Sequence, residues 1–236
     1  MEAVTIFDFW YDLARGPLVW ISFGIFLMGS VYRSMQILAL TRIRGSGQEV
    51  PDRTIKDVPW VSVQADEKKG VYQRFVMPLK FTVFGRHPVF ITVTFIFHLL
   101  LFAAPLFLLA HNILLDNALG ISFFSFSEQT SNTMTVVLLA CILFFLLRRF
   151  FLPGVRAITY LEDYMMLLMV TLPFLTGFLA FHQIFDYQWM ITLHMGTGLV
   201  MIAAAPFTKI FHMIFFFFGR FLIVSEHSMG RGSRTW

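Results

Sequence analysis

Charge is what this chain has least of. Asp, Glu, Lys and Arg make up 14% of its 236 residues, where a soluble domain carries about a quarter, so it has too little polar surface to face water. Apolar residues reach 57%, with 30 phenylalanines, and the chain reads as an integral membrane protein. Disorder and nucleic-acid binding are excluded as its primary character despite the net charge of +4. Cysteine is almost as scarce: Cys141 stands alone in an apolar run. An intramolecular disulfide, a cysteine-ligated iron–sulfur cluster and the CxxCH attachment of a c-type haem are therefore all ruled out within the chain. Acidic side chains are also missing from the interior of the apolar runs, apart from Asp163 at one end. A proton or cation path would need them.

A helix needs about 20 mostly apolar residues to cross about 30 Å of hydrocarbon. Five stretches qualify, approximately 18–40, 88–111, 133–152, 163–185 and 189–219, predicting an all-α, five-helix integral membrane bundle in one membrane domain. The first contains Arg33 and the fifth Lys209, ionisable groups at a depth where such residues tend to be functional. The amino-terminal segment MEAVTIFDFWYDLARGP is acidic where a signal peptide is basic.

The basic residues set an orientation. Arg42, Arg44, Arg53, Lys56, Lys68, Lys69, Arg74, Lys80 and Arg86 lie between spans one and two; Arg148, Arg149 and Arg156 between three and four; Arg220, Arg231 and Arg234 after span five. The connection from Asn112 to Asn132 and the turn at Asp186 have none. Basic residues collect on the cytoplasmic side, so the N-terminus is expected outside and the C-terminus in the cytoplasm, in the inner membrane of a prokaryote. The loop 41–87 is too short and too polar to build a core of its own. It reads either as a tether or as a docking surface for a cytoplasmic subunit.

Histidine is what the chain does have. His87 and His98 on span two are 11 residues apart, close to three helical turns, and His194 and His212 on span five are 18 apart, five turns. Each pair therefore shares a helix face. The two spans run in opposite directions, so His98 with His194 and His87 with His212 pair at two depths. Two axial imidazoles at each level suit two b-type haems, an outer and an inner one. The rises do not match, being about 16 Å for the first pair and about 27 Å for the second; a bend at Pro206 is expected to absorb part of the difference. A lone buried histidine is otherwise simply a hydrogen-bonded core group.

Several neighbours fit this expectation. Gly196 and Gly198 leave room for a porphyrin face, although small residues also serve plain helix packing. Arg33, Arg86, Lys209 and Arg220 belong to the inner half and suit inner haem propionates, or equally the cytoplasmic headgroups. A quinone needs a donor and a proton acceptor, and the outer polar groups His111, Asp116, His182 and Asp186 are the candidates, each otherwise an interfacial side chain meeting water. His182 is preferred, and it is also the alternative to His98 as an outer ligand.

The five spans and the histidine spacing, carried by His87 in Phe84-Gly85-Arg86-His87-Pro88, His98 in Phe97-His98-Leu99-Leu100, His194 in Leu193-His194-Met195-Gly196 and His212 in Phe211-His212-Met213, resemble the respiratory nitrate reductase gamma subunit family of membrane cytochromes b. Its DsrM, TmcC and HmcE branch, from the redox complexes of sulfate reducers, is favoured because the loop 41–87 is long. The resemblance implies two haem b groups, exchange with menaquinone near the outer haem, and transfer to a cytoplasmic iron–sulfur, heterodisulfide-reductase-like subunit through loop 41–87 and the C-terminus. Other membrane subunits and lipid are implied partners. A periplasmic multihaem cytochrome c docking outside would instead make the chain a conduit without quinone chemistry. The rival reading from another class is a haem-free membrane anchor or small transporter whose histidines bind a metal or relay protons.

Overall fold

The computed structural model describes residues 6–44 and 87–216. Arg86, Arg220, most of the loop 41–87 and the C-terminal tail, all named above, lie outside the described residues. Those described are helical with no strand: α1 (Ile6–Arg15), α2 (Pro17–Arg44), α3 (Pro88–Leu106), α4 (Leu109–Leu119), α5 (Glu128–Phe151), α6 (Pro153–Arg156), α7 (Leu161–Phe181), α8 (Tyr187–Ala204) and two 3-10 turns, Ala205–Phe207 and Lys209–Phe211. Five segments are long and apolar enough to cross a membrane: Asp8–Ala39, Pro88–Leu106, Glu128–Phe151, Leu161–Phe181 and Tyr187–Phe207. The protein is an all-α, multi-pass membrane protein. The chain divides into two compact units, one of residues 1–67 and 199–236, the other of 68–198.

The boundaries follow local chemistry. Hydropathy alone starts the third span at 133, but Ser127 accepts a hydrogen bond from the Thr130 amide and caps a helix that begins at Glu128. Arg148 and Arg149 fall in its last turn, where cations favour the helix dipole, and Pro153 blocks its continuation. In α7 the Asp163 carboxylate accepts from the Tyr160 amide at 2.9 Å. The second span is shorter than 88–111, because the chain leaves the helix after Leu106 and restarts at Leu109. The fifth ends as an α-helix at Ala204, where Pro206 forces 3-10 turns and Thr208 is extended; the bend expected there is a true unwinding.

In the 68–198 unit α5 is central, packing on α3 and on α7. Leu138 is fully buried, with Cys141, Ile142, Val170 and Ala180 beside it in the core. Phe145 meets Phe97 edge-on, with ring centroids 5.3 Å apart, and Phe90 at 6.3 Å, while Phe150 reaches Tyr164 on α7. The remaining large apolar side chains, such as Phe151 and Leu161, point outward, which in lipid carries no penalty. In the other unit, the α2 face bearing Gly29 lies against Pro206 and Phe207; a Cβ on Gly29 would come within 2.9 Å of Pro206. Arg33 donates to the Pro206 carbonyl at 3.4 Å and to Gln36.

Truncating the buried centre of α5 tests this packing. Leu138→Ala is expected to cost about 2 kcal/mol or more through the cavity it leaves, seen as a lower thermal unfolding midpoint of the detergent-solubilised chain; an unchanged midpoint contradicts the assignment of α5 as core.

Candidate functional site

Within the 68–198 unit the structure brings His111 together with His194. Their imidazole rings lie 5.9 Å apart, centroid to centroid, with planes only 13° from parallel. How each ring is held decides what it can do.

His111 sits on α4, just past the break in the second span. Its Nδ1 lies 2.8 Å from the Pro105 carbonyl oxygen. That oxygen can only accept, so Nδ1 carries the hydrogen and donates. In the neutral ring the lone pair is then on Nε2. The break itself is stitched by Asn112, only 3% exposed. Its amide donates to the Leu106 carbonyl at 3.2 Å, the Leu108 carbonyl at 3.3 Å and Ser125 Oγ at 2.9 Å, and its oxygen accepts from the Phe123 amide at 2.9 Å. The Phe126 amide donates back to the Phe107 carbonyl. These bonds satisfy carbonyls that the end of α3 would leave open, and they fix the turn that poses His111. Gly120, at φ 67°, closes α4 in the left-handed conformation, where glycine carries no Cβ penalty.

His194 on α8 is held in the same way. Its Nδ1 donates to the Pro173 carbonyl of α7 at 2.7 Å. Opposite it stands Gly177, where a Cβ would lie 2.9 Å from Nδ1 and 3.0 Å from Cε1. Any larger residue at 177 would displace the ring. Neither Nε2 of the pair has a hydrogen-bond partner among the described residues, and neither is sealed from the surface. A tethered Nδ1–H with a free Nε2 is the arrangement that orients a metal-ligating imidazole.

The other residues expected from the sequence fall as follows. His98 on α3 donates Nδ1–H to the Thr94 carbonyl at 2.7 Å, with the Phe97 ring edge-on beside it. His87 is the exposed N-cap residue of α3. His212 belongs to the other unit, with its Nδ1 2.7 Å from the Lys209 carbonyl; Arg33 and Lys209 also lie there. His182 Nε2 lies 2.9 Å from Asn132 Oδ1, flanked by Phe178 and Phe181. Asp186 accepts from the Trp189 amide and so serves the start of α8. Asp116 is exposed on α4. At Gly196 and Gly198 a Cβ would meet nothing within 4 Å, so both face open space. Among the described residues no three His, Cys, Asp or Glu gather around one point. The sequence reading placed His111 only among quinone candidates. The mismatch of rises, about 16 Å on span two against about 27 Å on span five, was the available signal that the two helices do not simply face each other along their length.

A protein of Nitratidesulfovibrio vulgaris (strain Hildenborough), whose name carries no functional description, is 28% identical over 225 residues, covering 95% of this chain and 96% of its own length. No family model and no solved structure matches the chain.

Asn112→Ala removes one acceptor and the donors that stitch the break. It is expected to cost about 1–3 kcal/mol through the unsatisfied backbone groups it leaves, and to increase hydrogen exchange at the amides of Phe123 and Phe126; unchanged exchange there would show that the turn stands without it.

Proposed function

We propose that this protein is a dihaem b-type cytochrome subunit of a membrane respiratory complex, and that His111 and His194 would hold its outer haem. The observation that carries the reading is the parallel imidazole pair with each Nδ1–H tied to a backbone carbonyl and each Nε2 open. The two rings are stacked, 5.9 Å apart with planes 13° from parallel, and their Nε2 lone pairs would be the groups that hold the iron. A porphyrin provides four nitrogens of its own, so two protein donors suffice where a bare ion would need three or more. The chain has a single cysteine, so histidine is the ligand type left for a redox centre. The open space at Gly198, four residues on from His194 and on the same face of α8, leaves room for a flat macrocycle, whereas Gly196 opens on the opposite face.

When bound, the haem supplies a one-electron carrier within the membrane. The chain's own residues hold both imidazoles in one tautomer, with Nδ1–H on a carbonyl and Nε2 left to bind. The ring planes are fixed by carbonyls within helices α3 and α7. His111 replaces His98 as the outer ligand in this reading. The inner haem rests on sequence spacing alone and is retained on that footing. Quinone exchange near the outer face, with His182 and its partner Asn132 as the donor pair, and delivery to a cytoplasmic iron–sulfur subunit complete the proposal. The relative of N. vulgaris comes from a sulfate reducer, in keeping with an anaerobic respiratory complex.

The pyridine haemochrome assay on purified protein is expected to give two haem b per chain; a colourless protein would overturn the reading in favour of a haem-free anchor. His111→Ala and His194→Ala are each expected to abolish the same low-spin electron paramagnetic resonance signal, while His98→Ala leaves that signal in place. Loss of the signal in His98→Ala with His111→Ala unaffected would restore the original pairing. Gly177→Ala, which crowds His194 without removing it, is expected to lower occupancy of that haem alone, by about tenfold for each 1.4 kcal/mol of strain in the bound state.

A further inference from the structure

A groove of ≈ 530 Å³ opens where α3 begins and α5 ends, lined by Phe90, Phe144, Leu147, Arg148, Phe151 and Leu152 among others. All of it lies in the 68–198 unit. Its walls are apolar except at Arg148 and at His87 on the rim. The guanidinium carbon of Arg148 sits 4.2 Å from the centre of the Phe90 ring, a cation–π contact that holds the side chain over the groove. No carboxylate pairs with Arg148 among the described residues. The start of α3 adds polarity of the same sign: its N-cap His87 makes no side-chain capping bond and Pro88 has no amide hydrogen. The amides of Val89 and Phe90, both groove residues, are thus left without an intrahelical acceptor.

A positive head above an apolar trough selects an amphiphile with a negative head. Inorganic phosphate would satisfy Arg148 and leave the phenylalanine and leucine walls unused. A zwitterionic lipid would bring a second, positive group against the arginine. The clustering of Arg148, Arg149 and Arg156 at this end places it, by the charge rule, at the cytoplasmic leaflet, where anionic lipids are found and where basic clefts between spanning helices hold their headgroups. We infer that this groove is a specific site for one anionic phospholipid, its phosphate on Arg148 and an acyl chain along Phe144, Leu147 and Phe151. The site uses neither ring of the His111–His194 pair, but its rim includes His87, which the sequence spacing assigns to the inner haem, so the haem count of each variant is measured beside its lipid retention.

The test is native mass spectrometry of the full chain, purified in mild detergent and equilibrated with phosphatidylglycerol and phosphatidylcholine in equal amounts. The wild type is expected to retain one phosphatidylglycerol with about tenfold preference over phosphatidylcholine. Arg148→Gln, which keeps a hydrogen-bonding end on a shorter side chain but loses the charge, is expected to abolish that preference, whereas Arg149→Gln, one residue along and outside the groove, keeps it. Leu147→Trp fills the trough and is expected to reduce retention of both lipids, which keeps the proposal testable should Arg148→Gln lose its helicity. Equal retention of the two lipids by wild type, unchanged preference in a helical Arg148→Gln, or displacement of the lipid by inorganic phosphate alone would each overturn it.

Discussion

Lipid offers the backbone no hydrogen-bond partner, and the rest of this structure follows from how the chain meets that constraint where its helices are interrupted. The second span stops at Leu106 and restarts at Leu109, and the fifth unwinds at Pro206. At each interruption a polar side chain answers a carbonyl: Asn112 and His111 those of Leu106, Leu108 and Pro105, and Arg33 that of Pro206. Pro173 lies inside α7, and its carbonyl has a second lone pair to offer, which it shares between Thr176 and His194. The histidines are therefore part of the backbone's own accounting before they are anything else. Their chemical availability is a by-product of that role, because a ring that spends Nδ1–H on a carbonyl keeps its Nε2 lone pair.

Phe123, Ser125 and Phe126 would otherwise be an ordinary connecting loop. Drawn onto Asn112 and Phe107, they become a lid of fixed shape over the end of α3. On the opposite side of the pair, Gly177 supplies a different kind of precision, since it is defined by what is missing. A ring seated against helix backbone has fewer ways to tilt than one seated against a side chain with rotamers of its own. The two ligand candidates are thus aimed by unlike means, one by a polar stitch and the other by steric emptiness.

The number of spans and their approximate positions were legible in the sequence, because hydropathy over 20 residues is a strong signal in a chain with so little charge. So was the disturbance at Pro206. The break at Phe107 was not: Pro105 lies in an unbroken apolar run, and prolines are tolerated in membrane helices, so nothing in composition separates a kink from a stop. That break moves His111 off the straight helix on which angular spacing was computed, so residue counting could not bring it to His194. Ser127 was readable as a cap in principle, yet Glu128 and Gln129 made the first turn too polar to count as span. The roles of Gly177 and Pro173 depend on α7 lying beside α8, a tertiary fact that a single sequence does not carry.

The Asn112 stitch has a consequence for the order in which the molecule is made. Every bond in it joins residues between Leu106 and Ser125, a stretch short enough to close as soon as it leaves the ribosome. His194 comes some 80 residues later and needs α7 in place to receive it. One half of the pair is thus posed early and waits, and the arrival of α8 completes it. The pair is complete only once α8 lies against α7, where the Pro173 carbonyl receives His194.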